Sequence, residues 1–123
     1  DRFDITLPIS PIPYNHLQQD DSPSDLAAAQ QILTAHEIQR QRFRKEDCLY
    51  NSRMPPPLIE RYCTVETSGE RLLKTAFNHY SLSIRAYYAI LRCSRTLADL
   101  DQSECILERH ISEAVQYHSL AFP

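Results

Sequence analysis

The sequence predicts an all-α protein, a compact bundle of four to five helices with an extended N-terminal arm. Apolar residues recur in successive segments after residue 22, three and four positions apart, as on one side of a helix. Residues 22–25 (Ser-Pro-Ser-Asp) form a strong helix start. Strand-like alternation is found only near the N-terminus. We therefore expect an arm and linker over residues 1–21 and one helical domain over residues 22–123.

The arm begins with a polar–apolar alternation over residues 2–7, which is typical of a short strand. Prolines at positions 8, 11 and 13 end the pattern, and the stretch up to residue 21 has no periodicity, as in an extended linker. A single strand has no partner elsewhere in the sequence. We therefore expect it to belong to the sheet of an upstream domain, and the chain to be part of a longer protein.

The first helix is expected to begin with Ser22 as its cap and Pro23 at its first helical position. It should run for about twenty residues and end near Arg44 or Lys45. Its predicted apolar side consists of Leu26, Ala29, Ile32, Leu33 and Phe43. The cations over residues 40–45 suit the negative end of the helix dipole, with a nucleic-acid contact as the alternative.

Two further helices are expected in the middle of the chain. Residues 47–57 should form a loop, because they contain Asn-Ser and three consecutive prolines. A short helix over residues 58–63 follows. The next helix is capped by Thr67 or Ser68, and its apolar residues recur at helical spacing: Leu72, Leu73, Ala76, Phe77 and Tyr80.

The fourth helix, from about Ser83 to Leu100, is apolar on two nearly opposite sides, so we expect it to be buried between neighbours. Arg85 and Arg92 share the strip between these sides, within about 20° of each other. An arginine in the first turn of a helix can bind a phosphate with both arms of its guanidinium group. The alternative is that both arginines extend to solvent or pair with nearby carboxylates.

A last helix is expected over about residues 107–118, with Asp101 or Ser103 as its cap. His110 and His118 flank its apolar side, and His36 lies within the apolar side of the first helix. We predict that all three are core histidines. No two histidines have the spacing of metal ligands, so no metal site is expected.

The composition excludes several classes of protein. Gly69 is the only glycine, whereas phosphate-binding loops need several, so the chain alone should have no ATPase activity of that type. Four scattered cysteines without a Cys-x-x-Cys pair indicate reduced thiols and a cytoplasmic protein. A net charge of −3 gives no overall attraction to nucleic acid or anionic membranes. No apolar run approaches the roughly 20 residues that span a bilayer.

Five motifs follow one another along the chain: DRFDI (1–5), GERLLK (69–74), LSIRA (82–86), SRTLADLD (94–101) and HISEAVQY (110–117). In this order they resemble the Mg-chelatase-like AAA+ ATPases, and most closely the ComM/YifB competence-protein branch. The first motif resembles the conserved Leu-Asp-Arg-Phe-Asp turn of that family, and the others resemble its C-terminal helical lid. The ordered set covers nearly the whole chain.

This resemblance implies a hexameric ring that hydrolyses ATP, with Mg2+, between its subunits. Arg2 matches the arginine finger, which projects toward the ATP of the neighbouring subunit. Arg85 matches the sensor-2 arginine, which the lid directs at the γ-phosphate. Arg92 and Arg95 match recurrent basic positions to which the resemblance gives no chemical role. Residues 1–21 would then end the ATPase core and residues 22–123 would form the lid.

The implied partners are the protein's own upstream AAA+ core, the neighbouring ring subunits and, through the rest of the protein, DNA. The work of the ComM branch is ATP-driven translocation on DNA and branch migration during natural transformation. For the chain alone we expect no cofactor and no membrane partner. The alternative class is a stand-alone helical protein-interaction module, in which Arg85 and Arg92 form structural ion pairs.

Overall fold

The computed structural model describes residues 4–9, 11 and 25–119, and over them the chain forms five α-helices and one 3-10 helix. The α-helices are α1 (Asp25–Arg42), α2 (Pro56–Tyr62), α3 (Thr67–His79), α4 (Ile84–Leu100) and α5 (Glu108–Ser119), and the 3-10 helix is Asn51–Arg53. The described residues contain no β-strand, only an isolated bridge between Val65 and Ile106. The all-α prediction is confirmed.

Helix α4 is the centre of the bundle. It packs against α1, α2, α5 and the 3-10 helix, while α3 packs on α5. As its two-sided apolar pattern predicts, Ala86 and Ile90 are buried on one side and Leu91 on the other. The largest fully buried apolar side chains come from three helices and two connections: Met54, Ile59, Ile90, Ile106 and Ile111. Removal of each from water contributes about 1.5–3 kcal/mol, so this core joins segments far apart in sequence.

The start of α3 packs closely against the segment that leads into α5. A β-carbon at Gly69 would lie only 2.7 Å from Val65 Cγ1. On either side of Val65, Glu66 N donates to Ile106 O at 2.9 Å and Ile106 N donates to Thr64 O at 2.8 Å. The only glycine of the sequence therefore lets α3 approach this bridge without a clash.

The predicted apolar side of α1 is wrong for the N-terminal half of the helix. Four of its five members are exposed, including Leu26 at 71%, Ile32 at 50% and Leu33 at 67% exposure, and only Phe43 is buried. Helix α1 instead buries Ala35 and Gln39 in its C-terminal half. Helical spacing shows which residues share a side, but not whether another element covers that side.

The contacts of α1 explain this exposure. Gln31 Nε2 donates to Leu100 O at 3.1 Å, and Arg42 pairs with Asp99, so both of these contacts join α1 to the C-terminal end of α4. Helix α1 ends at Arg42, two residues before Arg44, the first of the two predicted end positions. The predicted start at Ser22 and Pro23 lies outside the described residues.

The other helices begin close to their predicted positions. Helix α2 starts at Pro56. Proline fits the first turn of a helix, because an N–H at that position would have no acceptor within the helix. Helix α3 has Glu66 as its N-cap residue instead of Thr67 or Ser68.

None of the helices that the structure describes is long and apolar enough to cross a membrane.

The strand predicted over residues 2–7 is absent from its described part, which begins at residue 4. The arm lies against the last helix, where Thr6 N donates to Tyr117 O at 3.1 Å. Its apolar residues Ile5, Leu7 and Ile9 are exposed. A strand needs an extended partner, and the described part of the arm lies beside a helix instead.

Candidate functional site

The candidate site is the N-terminal end of α4, which a short connection fixes in place. Leu82 is buried and its N–H donates to Phe77 O at 3.1 Å, while Ser81 adopts a positive φ of 50° in the turn after α3. Ser83 caps the helix, since its Oγ accepts from Ala86 N at 3.1 Å. The predicted start of α4 is confirmed, and Arg85 is the second residue of the helix.

The Arg85 side chain is exposed, and it forms no hydrogen bond or ion pair with any residue that the structure describes. The first turn of α4 contains no acidic residue, whereas the first turns of α1, α3 and α5 contain Asp25, Glu70 and Glu108. The N-terminus of a helix carries a partial positive charge. A cation there is unfavourable for the isolated helix and favourable for binding an anion.

An apolar groove between α3 and α4 begins beside this arginine. Its cavity volume is about 470 Å³, and its walls include Leu73, Phe77, Tyr87 and the 68% exposed Ile84, which directly precedes Arg85. The rings of Phe77 and Tyr87 pack edge to face with their centres 5.9 Å apart. The end of α4 therefore presents a guanidinium group next to an apolar surface.

Ten residues further along α4, Arg95 has the opposite environment. It is 2% exposed, and it donates to Glu104 O at 2.9 Å, to Ser103 O at 2.6 Å and to Tyr62 O at 3.2 Å. It also pairs with Asp99 one turn along the helix, at 3.2 Å. Burial lowers the pKa of Arg95, and the charge of Asp99 opposes that shift. Arg95 therefore has a structural role, since it ties α4 to α2 and to the turn before α5.

Asp99 joins the same network to α1 and to the 3-10 helix. Arg42 donates to both of its carboxylate oxygens, at 2.7 and 2.5 Å, and Asn51 Nδ2 donates at 2.7 Å. Gln39 completes the contact by accepting from Asn51 N at 2.9 Å. Sequence analysis missed this network, although the spacing of Arg95 and Asp99, four residues apart on a buried helix, was a usable signal.

Arg92 lies between these two arginines and differs from both. Its side chain is half-buried, and its Nε is shielded from solvent with no hydrogen-bond partner among the described residues. Neither Arg85 nor Arg92 forms the structural ion pair that was considered for them, within the described chain. Arg95 does form one. Arg2, the predicted arginine finger, lies outside the described residues.

The histidine predictions are confirmed for α5 and wrong for α1. His110 is buried, with Nδ1 accepting from Leu107 N at 3.0 Å and Nε2 lying 2.7 Å from Asp101 Oδ2. His118 is also buried, and burial lowers its pKa. His36 is exposed and packs edge to face on Tyr50, because the side of α1 that carries it is uncovered.

The predicted capping of the last helix is also corrected. The N–H of Glu108 donates to the Glu66 carboxylate at 2.8 Å, so the cap comes from the segment before α3. Asp101 holds the first turn through the side chains of Arg109 and His110, and Ser103 donates to a carbonyl within its own turn. A distant residue replaces the local cap because the bridge between Val65 and Ile106 brings the two segments together.

Comparison with known proteins gives one family and several relatives. Residues 23–118 match the family described as magnesium chelatase, subunit ChlI C-terminal. The chain is 34% identical over 122 residues to the uncharacterized protein YifB of Escherichia coli (strain K12), and equally similar to the competence protein ComM of Haemophilus influenzae and to YifB of Salmonella typhimurium. Each alignment covers 98% of the chain but only 23% of the relative.

Proposed function

The chain belongs to the family of magnesium chelatase ChlI C-terminal domains, and from this premise we propose that it is the lid of a hexameric AAA+ ATPase and that Arg85 is its sensor-2 residue. The observation that carries the proposal is the state of Arg85. This cation is exposed and without an ion pair in the described chain, at the positive end of the central helix of the bundle. Such a guanidinium group suits the γ-phosphate of ATP.

The proposed chemistry is neutralisation of charge during phosphoryl transfer. Negative charge spreads over the oxygens of the transferred group, and a fixed guanidinium group stabilises that charge when the phosphate is bound. The helix that carries Arg85 is held in place, because Ser83 caps its start and the Arg95–Asp99 pair lies near its other end. A phosphate contact at one end of α4 would therefore move the whole bundle as a rigid body.

The remaining parts of the ATP site are assigned to the upstream core. When bound, ATP would supply the phosphoryl group and Mg2+ would neutralise its charge, and Arg85 is proposed to contact the γ-phosphate. These residues contain no group of three histidine, cysteine or acidic side chains that could hold a metal ion. Arg2 is proposed as the arginine finger, acting on the ATP of the neighbouring subunit.

We further propose that the complete protein uses this cycle to move on DNA in the cytoplasm, and one of its relatives is named competence protein ComM. The chain spans 23% of that relative, so DNA contacts and ATP hydrolysis would reside mainly outside it. The chain alone is expected to be inactive, because its single glycine cannot form a phosphate-binding loop.

The second candidate function is a helical protein-interaction module without nucleotide chemistry. The exposed apolar residues Leu26, Ile32 and Leu33 on the uncovered half of α1 favour it, since such patches often mark protein contacts. The two functions differ in what they require of Arg85. It is essential in an ATPase lid and dispensable in an interaction module that uses α1.

The deciding experiment measures ATP hydrolysis by the complete gene product with substitutions at Arg85. We expect Arg85→Ala to lower the rate by about tenfold or more, since a charge-assisted phosphate contact is lost. Arg85→Lys should recover little, because an ammonium group does not reproduce the planar fork. Arg71→Ala, which removes an exposed arginine of α3, is the matched control and should hydrolyse ATP normally. Full hydrolysis by Arg85→Ala would favour the interaction module.

A further inference from the structure

The role of Arg92 is explained neither by the buried network nor by the proposed sensor. Its Nε is shielded from solvent without a hydrogen-bond partner in the described chain, and no described carboxylate pairs with its guanidinium group. A buried donor without a partner destabilises a fold. Hydrogen bonding within the domain therefore does not account for an arginine at this position.

The position of Arg92 relates it to Arg85. Seven residues separate them, which corresponds to about 10 Å along the helix axis and a rotation of about 20°. Side chains on a helix lean toward its N-terminus, so Arg92 leans toward the turn that follows Arg85. Helix α4 carries no acidic residue before Asp99, and Arg95 is already saturated with partners. The side of α4 from Arg85 to Arg92 therefore contains no acidic residue of the helix itself.

We propose that Arg92 is a second phosphate-binding residue, which together with Arg85 binds the polyphosphate of one nucleotide. This inference rests on the proposed function, because it places the nucleotide beside α4. A nucleoside triphosphate carries several negative charges in a short chain, and each guanidinium group can form charge-assisted hydrogen bonds to it. Arg92 is only half-buried, so the terminal nitrogens of its guanidinium group, which have no partner in the described chain, would donate to the phosphate oxygens.

The first test measures the affinity of the complete gene product for a fluorescent ATP analogue, with inorganic tripolyphosphate as competitor. We expect Arg92→Met to weaken the binding of both by about tenfold, as for the loss of one charge-assisted hydrogen bond. Arg71→Met should change neither. The proposal is overturned if Arg92→Met binds both normally. It is also overturned if only the analogue is affected, since Arg92 would then not touch the phosphates.

The second test asks whether Arg92 merely supports the fold, using urea unfolding of the 123-residue chain, which has its own hydrophobic core. Arg92→Met should unfold at the same or a higher urea concentration, because methionine covers similar apolar surface and removes the unpaired donor. Arg95→Met should unfold at a lower concentration and serves as the positive control. A midpoint for Arg92→Met as low as that of Arg95→Met would assign Arg92 to the fold and overturn the proposal.

The Arg85→Met variant distinguishes failure of the proposed role of Arg92 from failure of the proposed function on which that role rests. If Arg85→Met weakens tripolyphosphate binding and Arg92→Met does not, the role of Arg92 fails and the sensor role of Arg85 stands. If neither substitution weakens binding, the proposed function fails as well. Only a loss in both variants supports a site with two arginines.

Discussion

Arg85 and Arg95 belong to the same helix and have opposite environments. Arg95 is buried and donates to three backbone carbonyls and to Asp99, so its charge is used inside the domain. Arg85 is exposed, and no described residue pairs with it. A charged side chain is expensive to bury without partners, whereas an exposed one remains available to a ligand. At the residue scale, burial and pairing therefore separate the structural arginine from the candidate functional one.

The buried network predicts a large loss of stability when Arg95 is removed. Arg95→Met leaves three carbonyls without their donor and weakens the charge balance of the fully buried Asp99. We expect the free energy of unfolding of the chain to fall by about 3 kcal/mol, measured by urea denaturation. Arg40→Met breaks the exposed Arg40–Glu37 pair and should leave the urea midpoint almost unchanged, because water screens the two charges. Equal losses in the two variants would contradict the structural role of Arg95.

His118 predicts a pH dependence of stability. Burial lowers its pKa below 6.5, while the charge of Asp4 acts in the opposite direction. Below pH 6.5 the unfolded chain binds a proton that the folded chain takes up only at lower pH, so stability falls as the pH falls through this range. The urea midpoint should therefore decrease from about pH 7 to pH 5. His118→Leu should show a smaller decrease, and an unchanged decrease would rule out this residue as a source.

At the scale of single elements, α1 is a helix of two halves. Its C-terminal half is held by the contacts of Gln39 and Arg42, while residues 25–33 are all exposed. Helix α4 shows the opposite arrangement, with its apolar residues covered by neighbours along most of its length. Apolar residues in the two helices should therefore differ strongly in what they contribute to stability.

One matched pair of substitutions tests this difference. Ile90→Ala removes a fully buried side chain of α4 and should cost about 2–5 kcal/mol of unfolding free energy. Ile32→Ala makes the same chemical change on the exposed half of α1 and should cost less than about 0.5 kcal/mol. Chemical denaturation of both variants measures the two losses of unfolding free energy. A large loss in Ile32→Ala would mean that α1 is covered in solution.

These two helices also show what could be predicted from the sequence. The start of α4 near Ser83 and its two-sided pattern depend on residues within one helix, and both predictions are confirmed. The apolar side of α1 was predicted wrongly, because its burial depends on which element lies next to it. The cap of α5 comes from Glu66, which is 42 residues away from Glu108, so local capping rules could not find it.

For the candidate site, too, the local features could be predicted from the sequence and the long-range contacts could not. A first-turn arginine is visible in the sequence, and the structure adds that it is exposed and unpaired in the described chain. Its role as sensor 2 stays a prediction, as does that of Arg2. The Asp99 network was missed because Arg42 and Asn51 reach it from other elements. Long-range partners of a buried charge cannot be identified from spacing alone.

At the scale of the whole molecule, the arrangement places a free cation at one end of a central helix and a buried ionic network at the other. The network ties α4 to α1, to α2, to the 3-10 helix and to the turn before α5. Movement of α4 must therefore carry most of the bundle with it. In the proposed lid, a phosphate contact at Arg85 would be converted into movement of the whole domain.

The central claim is that Arg85 binds a ligand although its charge lowers the stability of the folded chain, and Arg85→Glu tests this claim most directly. An acidic residue in the first turn suits the helix dipole, so the unfolding free energy of the 123-residue chain should rise by about 0.3–1 kcal/mol. ATP hydrolysis by the complete gene product should fall by about tenfold or more, because the phosphate would meet a like charge. Arg71→Glu, as control, should change neither quantity by a comparable amount. A less stable chain, or one whose complete protein hydrolyses ATP normally, would contradict the account.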